Sequence, residues 1–220
     1  MSITFDAVRK NQEIKTYIQQ ADASLLELGY TEHSFAHVTH CALQASEILQ
    51  KLGYSEHEQE LVKIAAYLHD IGNMVNRTNH AMSGAMIAFQ LLSKMGASPE
   101  DLAAIVTAIG HHDEKTAFPV NAVTAALILA DKSDVRRSRV RNQATINFDI
   151  HDRVNFAVEG ADFNLDLEKR RMTLVLTIDT EVCPVVEYFE IFLDRMLLSR
   201  KAADFFGYTF KLVINGSELM

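Results

Sequence analysis

The chain of 220 residues contains no tryptophan, three prolines and only two cysteines. Cys41 and Cys183 lack C-x-x-C spacing, and one pair is too few for a disulfide scaffold in a chain of this length, so we expect both to be buried apolar side chains. No apolar run approaches the roughly 20 residues that a membrane-spanning helix needs, and the N-terminal residues lack the apolar core of a signal peptide. These absences predict a cytoplasmic protein.

Basic residues are also in the minority. The sequence has 21 lysines and arginines against 29 aspartates and glutamates, which gives a formal net charge of −8. Such a charge produces a long-range field that opposes binding to nucleic-acid polymers, although a local basic patch can still bind a small phosphate ligand. The acidic balance therefore favours a small-molecule partner.

The hydrophobic period changes near residue 145. Before that point apolar residues recur every three to four positions, separated by short polar connectors, which is typical of a compact helical bundle. The pattern predicts helices over residues 35–52, 56–71, 80–95, 98–111 and 120–135. Ser98 and Pro99 look like the cap and the first position of the fourth of these helices.

After Asn147 apolar and polar residues alternate, as they do in strands. The segments 153–160, 162–169 and 172–179 predict an antiparallel meander, followed by a helix over 181–206 and a last strand over 208–214. We therefore predict a mainly α fold, with a helical metal-binding bundle in residues 1–145. A small α+β part would follow in residues 146–220, and we expect it to pack on the bundle or to form a dimer.

Eight of the nine histidines lie between residues 33 and 112, and one of them, His69, directly precedes Asp70 at a predicted helix end. Neighbouring helical side chains diverge by about 100°, so this pair can flank a point beyond the helix end. A divalent cation at that point would stabilise the unprotonated imidazole and carboxylate. Two ligands hold an ion weakly, and the further candidates lie near the ends of other predicted helices: His37, His80, His111, His112 and Asp131.

Each candidate also has a simpler interpretation. A lone histidine is more often a surface or hydrogen-bonded residue than a ligand. His33, His37 and His40 share one helical stripe, which is either part of a site or a solvated face. Asp131 follows the apolar run "AALILA", where an unpaired carboxylate is costly. Its alternative is a salt bridge with Lys132 or with an arginine just beyond.

Three segments carry a resemblance to a known family. "HVTHCALQA" (37–45), "YLHDIGN" (67–73) and Asp131 in "LADKSD" resemble the H…HD…D signature of the HD superfamily of metal-dependent phosphohydrolases, over residues 33–141. Two further segments, "NHAMSGAMIAFQLL" and "GHHDEKTAFP", resemble the H-x-x-x-G and HHE-x-x-x-G-Y-P segments of the HD-GYP branch.

The resemblance implies two divalent transition-metal ions, chosen from Fe, Mn, Ni, Co and Zn. The first would be held by His37, His69, Asp70 and Asp131. Asp70 would bridge to the second, which His80 and one of His111 and His112 would complete. The other histidine of that adjacent pair would contact the substrate.

The chain departs from the HD-GYP pattern at two places. Asn73 follows HDIG where these proteins usually have lysine, and Ala117-Phe118-Pro119 stands where Gly-Tyr-Pro would be expected. The first change removes a phosphate-binding cation, and the loss of Gly and Tyr argues against hydrolysis of a cyclic dinucleotide. Position 33 holds histidine where some three-metal relatives carry glutamate, so we expect two ions and not three.

Two cations beside a phosphate ester can activate a water molecule and neutralise charge on the phosphoryl oxygens. Arginine matches phosphate oxygens well, and we predict substrate binding by cations that follow the ligands: Lys115, Lys132, Arg136 and Arg137. The alternative is that these cations pair with acidic residues of the C-terminal strands. His112 or Asp113 would protonate the leaving group, and Asp70 would be the central catalytic carboxylate.

The predicted function is metal-dependent hydrolysis of a phosphate ester of a small molecule or nucleotide. The predicted partner is this substrate, with a homodimer as one of the two expectations for the C-terminal part, and no nucleic-acid polymer or membrane is expected. Two alternatives stay open. A di-iron oxygenase of the HD superfamily would use nearly the same ligands, because imidazole-rich sites also suit iron. A non-catalytic nucleotide-binding sensor would use the same fold without turnover.

Overall fold

The computed structural model describes residues 3–141 and 150–220. The chain divides into two compact units, Met1–Asp131 and Lys132–Met220. The boundary predicted between residues 145 and 146 lies outside the described residues. Among the described helices, none is long and apolar enough to cross a membrane. Cys41 and Cys183 are buried free thiols, as expected.

The first unit is built of helices. Its elements are α1 (Phe5–Lys10), α2 (Gln12–Glu27), α3 (Phe35–Lys51), α4 (Glu56–Leu68), a 3-10 turn η1 (Ile71–Met74), α5 (His80–Lys94), α6 (Pro99–Gly110) and α7 (Ala122–Ser133). The five predicted helices correspond to α3 through α7. The helical bundle is therefore confirmed, and α1 and α2 add to it at the N-terminus.

Serine residues are the N-caps of several of these helices. Ser55 and Glu58 form a reciprocal capping box at the start of α4. The Ser98 side chain accepts the backbone N–H of Asp101, and Pro99 occupies the first turn of α6, as the sequence predicted. Such caps satisfy backbone N–H groups that have no partner inside the helix, so the polar residues around each cap fix where the helix starts.

Helix α7 lies at the centre of the apolar core. Its residues from Ala125 to Ala130 are completely buried. A helix that is apolar on all sides must be surrounded by other elements of the protein. The next residue, Asp131, is therefore carried into the interior by its own helix.

A close backbone contact joins η1 to the first turns of α5. A Cβ atom added at Gly72 would lie 2.0 Å from the carbonyl oxygen of His80 and 2.5 Å from the amide nitrogen of Gly84. A Cβ added at Gly84 would lie 3.2 Å from the carbonyl oxygen of His69. These two glycines allow the segment after α4 to touch α5, which brings His80 next to Asp70.

The described residues of the second unit, 132–141 and 150–220, contain a four-stranded sheet and two helices. Its elements after α7 are the 3-10 turn η2 (Arg137–Arg139), α8 (Ile150–Ala157), β1 (Val158–Asp166), β2 (Arg171–Ile178), α9 (Val185–Phe205), β3 (Thr209–Ile214) and β4 (Ser217–Glu218). The strand order is β1-β2-β3-β4. The small α+β part with a long helix is confirmed.

The predicted antiparallel meander was wrong in its first strand, whereas the second and third segments do pair antiparallel. Most of the segment 153–160 is helical, because Val154 and Ala157 are buried at helical spacing; an alternating apolar run of this length fits either structure. The sheet is also mixed: β1 pairs antiparallel with β2, but β3 pairs parallel with β2. The long α9 is the crossover connection that a parallel neighbour requires.

We expect Gly72→Ala to lower the free energy of unfolding by about 2 kcal/mol or more, because the new methyl group would overlap backbone atoms that cannot move independently. Gly110→Ala is the matched control. The nearest atom to a Cβ there is the Ala85 Cβ, 3.9 Å away. Alanine in this helix should leave stability unchanged or raise it by up to about 1 kcal/mol. Denaturant unfolding of both variants tests this, and equal stabilities would contradict the tight contact.

Candidate metal centre

Five histidines and two aspartates of the first unit are buried close together. No member is more than 9% exposed, and the set consists of His33, His37, His69, Asp70, His80, His112 and Asp131. Three subsets bring their potential ligand atoms within 4.8 Å of one another: His37, His69 and Asp70; His69, His112 and Asp131; and Asp70, His80 and His112. We refer to the seven residues as the central cluster.

Each member lies at or near the end of a helix. His37 is in the first turn of α3, and His69 is the C-terminal cap of α4. His80 is the first residue of α5, and His112 follows the cap of α6. Asp131 lies near the end of α7. The predicted divergence of His69 and Asp70 does place both groups over the end of α4.

The two carboxylate oxygens of Asp70 face different histidines. Oδ2 lies 3.1 Å from His69 Nε2 and 3.6 Å from His37 Nε2. Oδ1 lies 3.5 Å from His80 Nε2 and 3.9 Å from His112 Nε2. Asp70 therefore stands between two pairs of imidazoles.

Asp131 faces the same pair as Asp70 Oδ2. Its Oδ1 lies 3.5 Å from His37 Nε2 and 3.6 Å from His69 Nε2. Two imidazole nitrogens and two carboxylate oxygens thus converge on one side of the cluster. This is the kind of nitrogen and oxygen donor set that binds zinc, iron or manganese.

Backbone carbonyls orient most of the imidazoles. Nδ1 of His69 lies 2.7 Å from the carbonyl oxygen of Ala66, and Nδ1 of His112 lies 2.6 Å from that of Ile109. His80 and His33 make the same kind of contact, with the carbonyl oxygens of Arg77 and Thr31. Because a carbonyl only accepts, Nδ1 must carry the hydrogen, and the neutral ring then presents the Nε2 lone pair to the cluster. Histidine ligands are held in this way.

The short distances between imidazole nitrogens indicate whether a cation can bind in the central cluster. His37 Nε2 lies 3.3 Å from His69 Nε2, and His80 Nε2 lies 3.1 Å from His112 Nε2. Two lone pairs at such distances repel each other unless a proton or a metal cation lies near both. The donor chemistry and its geometry therefore fit divalent cations.

The charges in the cluster shift two pKa values strongly. Burial of the His69 ring lowers its pKa, but Asp70 and Asp131 outweigh burial and raise that pKa from 6.5 to about 10. Burial raises the pKa of the Asp70 carboxyl, but His69 and His33 outweigh it and hold that pKa well below its usual range. Without a metal ion, the raised pKa favours the charged form of His69, with hydrogens on both ring nitrogens, at neutral pH.

The structure distinguishes the two adjacent histidines. His112 points into the central cluster, whereas His111, the cap of α6, is half-buried outside it. Among the described residues the His111 Nδ1 atom is buried without a hydrogen-bond partner. Asp113 is half-buried in the following turn, and Lys115 is exposed to solvent. Neither of them belongs to the cluster.

The predicted substrate cations of the second unit are held by neighbours in that unit. Arg136 Nη2 donates to Asp134 Oδ2 at 3.0 Å. The Arg137 guanidinium lies over the Phe156 ring, 4.6 Å from its centroid, and Nη2 is 3.6 Å from a Glu159 oxygen. Lys132 is buried. The Glu159 contact, on β1, is the pairing that the sequence left as an alternative, and a role in substrate binding stays a prediction.

Sequence reasoning undervalued three residues at the cluster. His33 precedes α3, and its Nε2 atom lies 4.0 Å from Asp70 Oδ2, while His40 of the same predicted stripe is exposed. Asn73 donates from Nδ2 to both the backbone carbonyl and Oδ1 of Asp70, each at 2.9 Å. Arg77 brings Nη1 to 3.9 Å from the same Oδ1. The helical spacing of polar residues gave no signal for Arg77, which lies in a loop.

The first unit is therefore a helical domain whose buried histidines and aspartates could hold metal ions. Residues 34–141 match the family model described as the HD domain. The chain is also similar to uncharacterized protein MJ1020 of Methanocaldococcus jannaschii, at 27% identity over 106 residues. That match covers 41% of this chain and spans 41% of the relative's length.

We expect divalent cations to bind the cluster more tightly as pH rises, because a cation must displace the proton that His69 holds up to about pH 10. Displacement of one proton changes affinity by about tenfold per pH unit. In the metal-free protein the same proton stabilises the fold fully below pH 6.5, and this contribution is lost as pH rises through about 10. Calorimetric titration with manganese in buffers of different ionisation enthalpy measures the released proton. A pH-independent affinity would contradict the assignment.

Proposed function

We propose that this chain is a metal-dependent phosphohydrolase that cleaves a phosphate ester of a small molecule or nucleotide at a binuclear centre. The observation that carries the proposal is the position of Asp70 between two pairs of imidazoles, with one carboxylate oxygen toward each pair. A carboxylate in this position can bridge two cations. The match of residues 34–141 to the HD domain supports the reaction class.

The proposed ligands divide between the two sides of Asp70. His37, His69 and Asp131 would hold the first ion together with Asp70 Oδ2, and His80 and His112 would hold the second with Oδ1. Divalent cations held there would acidify a water molecule and neutralise the charge of a phosphoryl group.

The chain's own residues provide the preorganisation. Asn73 fixes the Asp70 carboxylate through Oδ1 and through the backbone carbonyl of the same residue. The carbonyl oxygens of Ala66 and Ile109 fix the ring orientations of His69 and His112. Groups held this way need little rearrangement when a substrate binds, which lowers the barrier to reaction.

We propose His111, next to His112, as a substrate-facing group. The side chain is half-buried, and its buried Nδ1 has no hydrogen-bond partner among the described residues. Asp113 follows it and is the proposed proton donor to the leaving group. The assignment of Asp113 rests on its place in the sequence, because it stands outside the central cluster.

Asp70→Asn should abolish metal-dependent phosphatase activity and weaken metal binding by more than about 100-fold, because an amide cannot compensate two cations. Asp101→Asn is the matched control. Asp101 is also a buried aspartate paired with a histidine, at 2.8 Å from His57 Nε2, but it is not a member of the central cluster. Metal analysis after dialysis and hydrolysis of p-nitrophenyl phosphate by both variants provide the measurement. Full metal content in Asp70→Asn would disprove the proposed centre.

His112→Ala should reduce the bound metal from two ions to one per chain, because it removes a ligand from one side of Asp70 only. His111→Ala should keep both ions, since His111 lies outside the cluster, while its activity falls if it contacts substrate. Elemental analysis of both variants gives the stoichiometry. The opposite pattern would exchange the roles of these two histidines.

The wild-type protein, loaded with different metals, also tests the alternative that the chain is a di-iron oxygenase. The imidazole-rich cluster favours this second candidate, because such ligands suit iron as well as other transition metals. Two irons per chain with oxygen uptake, and no phosphate release with any metal, would replace hydrolysis by oxidation. Phosphate release with manganese, nickel, cobalt or zinc would support the hydrolase.

A further inference from the structure

Arg77 lies in the loop between η1 and α5, beside the central cluster. Its Nη1 atom is 3.9 Å from Asp70 Oδ1, donates to Asn73 Oδ1 at 3.3 Å and lies 3.4 Å from His80 Nε2. The guanidinium carbon is 5.4 Å from the centroid of the Tyr30 ring, a cation–π distance. The side chain is 26% exposed, so this cation joins the buried cluster to solvent.

The backbone and the side chain of Arg77 make separate contacts. The backbone carbonyl accepts from Nδ1 of His80 at 3.0 Å and so orients that imidazole. The guanidinium instead neutralises part of the charge on Asp70. A change of side chain therefore removes the cation and its contact with His80 Nε2, and it leaves the backbone contact with His80 Nδ1 in place.

A divalent cation bound to Asp70 and His80 would change the surroundings of Arg77. The guanidinium would lose its share of the carboxylate charge and would face a like charge instead. An anion placed between the two cations would relieve this repulsion. The substrate's phosphate group would be such an anion.

The guanidinium has hydrogen-bonding capacity left for that anion. Its contacts with Asp70, Asn73 and His80 all involve Nη1. Within the described residues, Nε and Nη2 have no hydrogen-bond partner. These two nitrogens form one edge of the planar fork, which matches two oxygens of a phosphate group. The Tyr30 ring lies 5.4 Å from the guanidinium carbon, at a cation–π distance.

We propose that Arg77 binds the non-bridging phosphate oxygens of the substrate, and that it serves as a counter-ion of Asp70 when no metal is bound. This inference rests on the proposed function, because it takes the substrate to be a phosphate ester. It also assigns to a loop residue the role that the sequence gave to Lys115, Lys132, Arg136 and Arg137.

The test compares Arg77→Gln, Arg77→Lys and the control Arg9→Gln in the full-length, manganese-loaded protein. Arg9→Gln also removes one positive charge, but Arg9 is exposed on α1, 4.0 Å from Asp6. Arg77→Gln should weaken inorganic phosphate binding and raise the KM for p-nitrophenyl phosphate by about tenfold or more, with a smaller change in kcat. Arg77→Lys should recover part of the loss, because it keeps the charge without the fork. Arg9→Gln should behave as the wild type.

Metal affinity gives a second readout that does not depend on turnover. Because Arg77 competes for the charge of Asp70, metal-free Arg77→Gln should bind manganese more tightly than the wild type. Weaker manganese binding would make Arg77 a support of the ligands and would overturn the inference.

Failure of this inference can be separated from failure of the proposed function. Wild-type hydrolysis with unchanged phosphate affinity in Arg77→Gln would overturn the role of Arg77 alone. Phosphate binding that depends on Arg77, without hydrolysis of any ester, would overturn the proposed function alone. A wild-type protein that binds no manganese would overturn both.

Discussion

The structure of the first unit depends on the compensation of one buried carboxylate. Asp70 is 5% exposed, and an ionised carboxylate at that depth is costly by several kcal/mol unless positive charge or hydrogen bonds surround it. Imidazoles from four separate helix ends or their flanking residues face its two oxygens. The helices therefore meet at their polar ends around this group, while their apolar faces pack elsewhere.

Backbone contacts determine how accurately those imidazoles are placed. Gly72 lets the chain after α4 touch α5 at distances that no side chain would allow, and a side chain at Gly84 would be crowded by the same backbone. Main-chain carbonyl oxygens then fix the rings of His69 and His112 through Nδ1. Because these constraints come from the backbone, the orientation of the proposed ligands is set by folding and does not require metal binding.

Much of the fold follows from local sequence signals, and its long-range features do not. The five predicted helices correspond to α3 through α7 because apolar periodicity and serine caps are local properties. The direction of β3 was not predictable in the same way, since it depends on where α9 returns the chain to the sheet. The segment 153–160 was misjudged because Val154 and Ala157 fit a helix as well as a strand.

The candidate site shows the same division. The ordered histidines and aspartates were visible in the sequence, but adjacent His111 and His112 could be separated only by the turn after α6. Position 73 shows what a family pattern can hide. Asn73 in place of lysine removes a cation, yet its amide holds the Asp70 carboxylate at 2.9 Å. Four residues later, Arg77 supplies a positive charge through a longer side chain that reaches solvent. Asn73 thus orients the Asp70 carboxylate and Arg77 supplies the positive charge, whereas a single lysine at position 73 would have to do both.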